Sequence, residues 1–336
     1  MLLITSGEYY AGQSLALQLL QQPEFQGKVR VSCRDTSRCE NLRKLGAELV
    51  QIDHQNQQQL EKIVHGIQYI ILAVDPEDDC VSSTENIVRA AAQAQVKNVI
   101  ILSQNGVEGS QQKRLRELLE IEQRCQKHLG NSNWVILRTD FFQQNFLLWV
   151  NSVQEKHQFP LPISQQNKFT PVDINDAVRV IRTLIVQGKN EFQPELDAQH
   201  NRRVYTLTGP EAVDGNRIVE ELKRGTGIDD CKFHEWKRQE LERYLKDLNA
   251  NQRHQDKLRQ QDGQLVLPKI NQQRLKHKVP GNLTDVQIEI YLDTFDWIKS
   301  GQGDRVSKDL ERIAGQEGQR LGQFFKDHAN EFNPRP

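Results

Sequence analysis

The chain has 336 residues, of which 37% are hydrophobic and 26% charged. That length allows about two domains, and the balance is polar yet sufficient for a real core. A formal net charge of −1 excludes a bulk electrostatic pull toward nucleic acid or an acidic membrane surface.

Residues Met1 to Asp35 read as strand, glycine turn, helix and strand, the length of a βαβ unit. Leu2, Leu3 and Ile4 form the first apolar run, Gly7 and Gly12 the turn, and Leu15, Leu17, Leu19 and Leu20 the helical pattern. Val29 and Val31 close the unit. Such a turn can hold a dinucleotide pyrophosphate on the helix N-terminus. Here it is degraded. In the G-x-G-x-x-G register the positions are Gly7, Tyr9 and Gly12; in the G-x-x-G-x-x-G register they are Ser6, Tyr9 and Gly12. Both put Tyr9 where a glycine lets the backbone approach the pyrophosphate, whereas the glycine that serves helix–strand packing survives as Gly12. Ser6, Gly7, Tyr9, Tyr10 and Gly12 are the candidate cofactor contacts of this turn.

Ala47 to Ile52 reads as the next strand, ended by Asp53, and a helix around Leu60–Val64 stops at Gly66. Tyr69–Val74 is a wholly apolar run, as in a buried parallel strand, followed by an acidic loop, Asp75–Asp79. Thr84 is expected to cap a helix over Glu85–Ala94. Asn98–Leu102 is a strand, Ser103–Ser110 a loop, Gln112–His128 a charged helix and Trp134–Leu137 another strand. Strands alternating with helices at this spacing predict an α/β fold, a doubly wound parallel Rossmann-like sheet over residues 1–150. Parts of 170–187 complete it, through a short strand at Pro171–Ile174 and a helix over Asn175–Val186.

Residues 151–336 read as a smaller, mixed α+β C-terminal domain. It contains a strand at Val204–Leu207 and a helix around Ile218–Leu222 that Gly225 and Gly227 end. A polar stretch covers Lys232–Lys278, where acids are interspersed with bases and aromatics are sparse, so no direct nucleic-acid contact is expected. An amphipathic helix from Thr284 carries Val286, Ile290, Tyr291, Phe295 and Trp297, and a final helix covers Gly318–Ala329.

The five cysteines (Cys33, Cys39, Cys80, Cys125, Cys231) are scattered, none forms C-x-x-C, and neither they nor the nine histidines show a zinc spacing. No metal site is expected, and a reducing compartment fits best. The N-terminus has no basic n-region, and no apolar run approaches the ~20 residues of a membrane span. No membrane contact is expected, and the default compartment is the cytosol, with access to the nucleus.

The stretches LLITSGEYYAG, VRVSCRDTSR, LGAELVQIDHQNQQQLEKIVHGI, NIVRAAAQAQVKNVIILS, WVILRTDFFQQN, FTPVDINDAV, VYTLTGPEAV and VSKDLERIAGQEGQRLGQFFKDHANEF follow one another in an order and spacing that resembles the NmrA-like proteins. These are an atypical branch of the short-chain dehydrogenase/reductases. The resemblance implies a Rossmann domain that binds NAD or NADP. Relatives are either redox-sensing regulators that bind a dinucleotide and a protein partner, or NAD(P)H-dependent reductases. It places Arg34 and Arg38 near the adenine ribose, where a guanidinium pair suits a 2′-phosphate and favours NADP(H) over NAD(H). It places Asp53 beside the adenine, and Phe142 and Asn145 on the nicotinamide side. Val74, Asp75 and Ser103, at strand ends, belong to the same crevice.

Catalysis is weakly marked. No tyrosine is followed by a lysine four residues later, and the segment from Ser103 to Trp134 holds no tyrosine. The sequence therefore predicts a protein that binds NADP(H) weakly or conditionally and regulates a protein partner. Its alternatives are an NADPH-dependent reductase of a small carbonyl or quinone, and a ligand-free interaction scaffold.

Overall fold

The computed structural model describes residues 1–188, 191–261 and 283–333. Its strands are β1 (Leu2–Ile4), β2 (Val29–Cys33), β3 (Glu48–Gln51), β4 (Tyr69–Leu72), β5 (Asn98–Gln104), β6 (Asn133–Thr139), β7 (Gln158–Leu161), β8 (Val186–Gln187), β9 (Glu191–Phe192), β10 (Arg203–Leu207) and β11 (Lys232–Glu235). Seven of these form one parallel sheet in the order β3-β2-β1-β4-β5-β6-β10. The helices are α1 (Tyr10–Leu20), α2 (Glu40–Lys44), α3 (Gln57–Val64), α4 (Cys80–Gln93), α5 (Lys113–His128), α6 (Val150–Lys156), α7 (Ile174–Ile185), α8 (Gly215–Thr226), α9 (Arg238–Gln261), α10 (Asp285–Trp297), α11 (Asp309–Ala314), α12 (Leu321–Asp327) and α13 (Ala329–Phe332). Among the described residues no helix is long and apolar enough to cross a membrane.

Side chains on successive strand residues point to opposite faces, so each apolar strand feeds two cores. Leu3, Ile70, Val99, Ile101 and Ile136 join α3, α4 and α5 on one face. Leu2, Ile4, Val31, Ile71, Ile100 and Leu137 join α1, α2 and α7 on the other. This is the doubly wound α/β arrangement expected from the run of apolar strands. Aromatic rings (Phe141, Phe146, Trp149, Phe159, Phe169, Phe295) then carry the first core into the C-terminal region, with centroids 5.3 to 6.5 Å apart.

Several boundaries differ from those the sequence suggests. Helix α4 starts at Cys80. Thr84 is buried within it, and Asp79 stands at the helix start, accepting a hydrogen bond from Ser83. Pro171–Ile174 is no strand: Val172 makes one isolated bridge to Phe142, and Asp173 caps α7 by accepting from the Asn175 N–H. Gly225 lies inside α8; Gly227, at φ +76°, ends it. A Cβ on Gly225 would sit 2.7 Å from Lys326 N and Phe325 Cβ, so that glycine serves the close packing of α12. The polar stretch begins with β11, paired in parallel with β7, and continues as α9; residues 262–278 lie outside the described residues. The final helix is two short ones, α12 and α13, preceded by α11.

Asp176 on α7 is 2% exposed. It accepts the Gln319 N–H at 2.7 Å and pairs with Arg179 at 2.9 Å. Burial outweighs both partners and pushes its carboxyl up to about 6. The folded state then holds a proton that the unfolded chain has released, so ionising this group costs stability between about pH 4 and pH 6. Asp176→Asn should therefore gain on wild type by about 1–3 kcal/mol as pH rises through that window. Urea denaturation at pH 4.5 and pH 7 measures it; an unchanged difference would show that Arg179 keeps the carboxylate charged throughout.

Candidate active site

The sheet order changes direction between β1 and β4, and ligands of such sheets lie outside the strand ends at that point. The turn after β1 keeps the geometry of a glycine turn with fewer glycines. Ser6 adopts a left-handed φ of +61°, which favours glycine, and Ser6 O accepts the Tyr9 N–H at 3.0 Å. A Cβ on Gly12 would stand 2.4 Å from both Thr5 O and Ser6 O, so the start of α1 packs onto the turn as only glycine allows.

The crevice itself is bridged. Tyr9, at the start of α1, donates its hydroxyl to Glu77 in the loop after β4 at 2.6 Å. Burial and the Glu77 partner push the Tyr9 phenol far up, so it stays a donor. Arg38 lies over the Tyr9 ring at 5.9 Å. Arg34, past the end of β2, reaches across β1 to Asp75 and Asp79, both at 2.7 Å. Asp75 also accepts from Ser6 Oγ at 2.5 Å and contacts His54 Nε2 at 3.1 Å. Segments following β1, β2 and β3 thus converge on the carboxylate that follows β4. Burial opposes its charge, but the hydrogen bonds from His54, Ser6 and Arg34 hold Asp75 below the usual carboxylate range. The bridge is therefore fully charged at neutral pH. The bridges thus span the space between the turn and the end of β4. The buried Glu8 carboxyl, which accepts the Arg34 N–H at 2.6 Å, lies beside it, its pKa raised by burial and by the Asp75 charge.

Beside this bridge, beyond the ends of β4, β5 and β6, lies a cavity of about 130 Å³. Its walls include Leu102, Phe141 and Phe142 from the sheet side, and Val286, Ile290 and Tyr291 from α10. Its enclosed space is the size of one small ring system. Tyr291 donates to Asn145 Oδ1 at 3.0 Å. Asp140 is held by Asn105, Thr170 and the Phe141 N–H at 2.7 to 3.0 Å, and its complete burial raises its pKa. Tyr10 borders the same space, its phenol pushed up by burial and by neighbouring Tyr291. Ser103 donates to Glu122 at 2.5 Å, and Glu122 pairs with Arg138 at 2.6 Å. The site thus offers an apolar slot with a protonatable acid and a phenol on its wall.

The sequence-derived residues therefore fall into two groups. Ser6, Tyr9, Arg34, Arg38 and Asp75 bond to or stack on one another or their neighbours across the crevice, with Gly7 and Gly12 shaping the turn. Tyr10, Val74, Asp75, Ser103, Phe142 and Asn145 line the cavity. Asp53 belongs to neither: it is exposed, and it accepts the Gln55 N–H in a local turn. Its neighbour His54 points inward instead. Asp140, at the carboxyl end of the apolar run WVILRT, carried a readable signal, because that is where ligands of such sheets lie. Tyr291, contributed by a distant helix, carried none.

Residues 10–147 match the model of an NAD(P)H-binding family. An NAD(P)H azoreductase of Xenophilus azovorans is 24% identical over 229 residues, 68% of this chain and 74% of that protein. The NADPH-dependent quinone oxidoreductase of Escherichia coli, solved with NADPH, superposes with a TM-score of 0.73 at 17% identity, over 97% of this chain and 99% of its own. The triphenylmethane reductase of Citrobacter sp., solved with NADP(H), gives 0.71 at 16% identity, over 98% and 99%. At these identities the two structures establish the shared fold alone.

Proposed function

We propose that the chain is an NmrA-like, NAD(P)H-binding member of the atypical short-chain dehydrogenase/reductases, and that it is a redox-responsive regulator that binds NADP(H) conditionally and acts through a protein partner. The observation that carries this reading is the bridged crevice, Tyr9 to Glu77 and Arg34 to Asp75 and Asp79. A dinucleotide must select a state in which both bridges are open. If closure is favoured by about 2 kcal/mol, the apparent affinity falls roughly thirtyfold. Arg34 then has a double role. In the closed state its guanidinium serves Asp75; in the open state it is free for a 2′-phosphate. NADPH offers Arg34 a replacement anion and NADH does not, so opening itself favours the phosphorylated cofactor.

A second reading, a reductase of a small quinone or azo acceptor, draws on the apolar cavity and on the activities named for the related proteins. A bound NAD(P)H would supply a hydride there. In that reading Leu102, Phe141 and Ile290 exclude water, and Asp140 or Tyr291 holds the proton that the reduced acceptor takes up.

Calorimetric titration with NADPH, NADP, NADH and NAD, followed by an acceptor screen, separates the two. The regulator is expected to bind the phosphorylated forms about tenfold tighter or more, and to show no sustained NADPH oxidation with quinones, azo compounds or aldehydes. Sustained turnover would establish the reductase instead. Binding of none of the four would leave the scaffold reading.

A further inference from the structure

We propose that Glu8, Cys33 and Cys39 form a buried binding site for a zinc-like divalent cation directly beneath the glycine turn. One carboxylate oxygen of Glu8 and the two Sγ atoms all lie within 4.8 Å of one another. Both cysteines are 0% exposed and Glu8 is 7% exposed. Glu8 Oε1 is used by the Arg34 N–H, but Oε2 is buried with no hydrogen-bond partner. A buried acceptor without a donor is costly, and a cation between this oxygen and the sulfurs would satisfy it.

The local fold brings the three together. Strand β2 ends at Cys33, and the tight turn Thr36–Cys39, opened by Asp35, returns Cys39 to it. The glycine turn is pinned on top by the Gly7 N–H, which donates to Ser32 O at 3.0 Å. A Cβ on Gly7 would stand 2.3 Å from Val31 Cγ1, so the glycine lets the turn pack closely on β2 beside Cys39. The five-residue interval between the cysteines is no zinc signature, and the third ligand comes from another segment; the sequence alone therefore did not show the site.

The donor set selects the ion. Two sulfurs and one oxygen suit zinc, supplying three of the four positions of its tetrahedral set. Calcium and magnesium demand oxygen throughout. Full burial also argues against the other chemistry open to two thiols, oxidation to a disulfide, because an oxidant has no access to either sulfur. A cation here would clamp the glycine turn to the segment that carries Arg34. This proposal does not depend on the regulatory reading, since it is tested without dinucleotide.

The full chain, stripped with chelator and dialysed, is titrated with Co²⁺ and then Zn²⁺. One equivalent of Co²⁺ is expected to give a thiolate charge-transfer band in the near ultraviolet and intense tetrahedral bands in the visible, and Zn²⁺ displaces both. Zn²⁺ also raises the thermal midpoint of wild type. Cys39→Ala loses the charge-transfer intensity and the zinc-dependent shift. Glu8→Gln, a milder change for the fold, keeps sulfur ligation but weakens zinc by about tenfold or more. A Co²⁺ spectrum without the thiolate band, zinc affinity equal in wild type and both variants, or a Cys33–Cys39 disulfide in freshly isolated protein would overturn the site.

Discussion

Replacing Tyr9 with glycine is expected to tighten NADPH binding by about tenfold to a hundredfold. The substitution removes a hydroxyl bonded to a carboxylate, an interaction worth about 1.5–3 kcal/mol, and clears the ring that Arg38 covers. It also restores a glycine where the backbone must approach a pyrophosphate. Two controls separate these effects. Tyr9→Phe keeps the ring and breaks only the bridge, so it should recover a few-fold of the gain. Glu77→Ala breaks the bridge from the other side and leaves the turn intact, so it should match Tyr9→Phe. Calorimetry on the three variants reads all of this. Affinities equal to wild type throughout would mean that the Tyr9–Glu77 contact does not govern entry.

The second large effect is on stability. Glu122 is 1% exposed, and its carboxylate binds Arg138 through two hydrogen bonds, at 2.6 and 3.0 Å, besides Ser103. Arg138→Leu should cost about 3–5 kcal/mol, because it strands a buried carboxylate without its counter-charge. Urea denaturation measures the loss. The double variant Arg138→Leu with Glu122→Leu should recover most of it, since an apolar pair leaves no charge to solvate. A single variant as stable as wild type would show that water reaches Glu122. Ser103 faces the cavity and hangs from the same carboxylate, so the single variant should also alter the cavity wall, whereas a remote destabilising substitution should not.

The sheet was legible because its strands are apolar on both faces. Tyr69–Leu72 and Asn98–Ile101 bury every side chain, and no soluble loop tolerates such runs. Gly12 was legible for a similar reason: its role is local and steric. The pair β7 and β11 was not. Pro160 interrupts the first, and Lys232, His234 and Glu235 leave Phe233 as the single apolar residue of the second. Their pairing is a decision of tertiary packing. The site was legible by half. Strand ends located Asp75 and Ser103 on general grounds. Arg34 lies at the crevice, but a sequence cannot show that its guanidinium is already engaged by an acid 41 residues away. Asp53 was named because the resemblance places it beside the adenine, yet the turn faces Asp53 to solvent and buries His54.

The cavity wall supplied by α10 also sets an order of events during synthesis. The glycine turn, the crevice and strands β1 to β6 belong to residues 2–139, while Tyr291 and Ile290 leave the ribosome long afterwards. Chains generally fold from the N-terminus as they emerge. A nascent chain would thus pass through a stage with the crevice formed and Phe141 and Asn145 open to water on one side. That stage presents an apolar face that a chaperone or a premature neighbour can hold. Docking of α10, through Tyr291 on Asn145 and Phe295 on Phe141, removes the face and completes the site in a single late step.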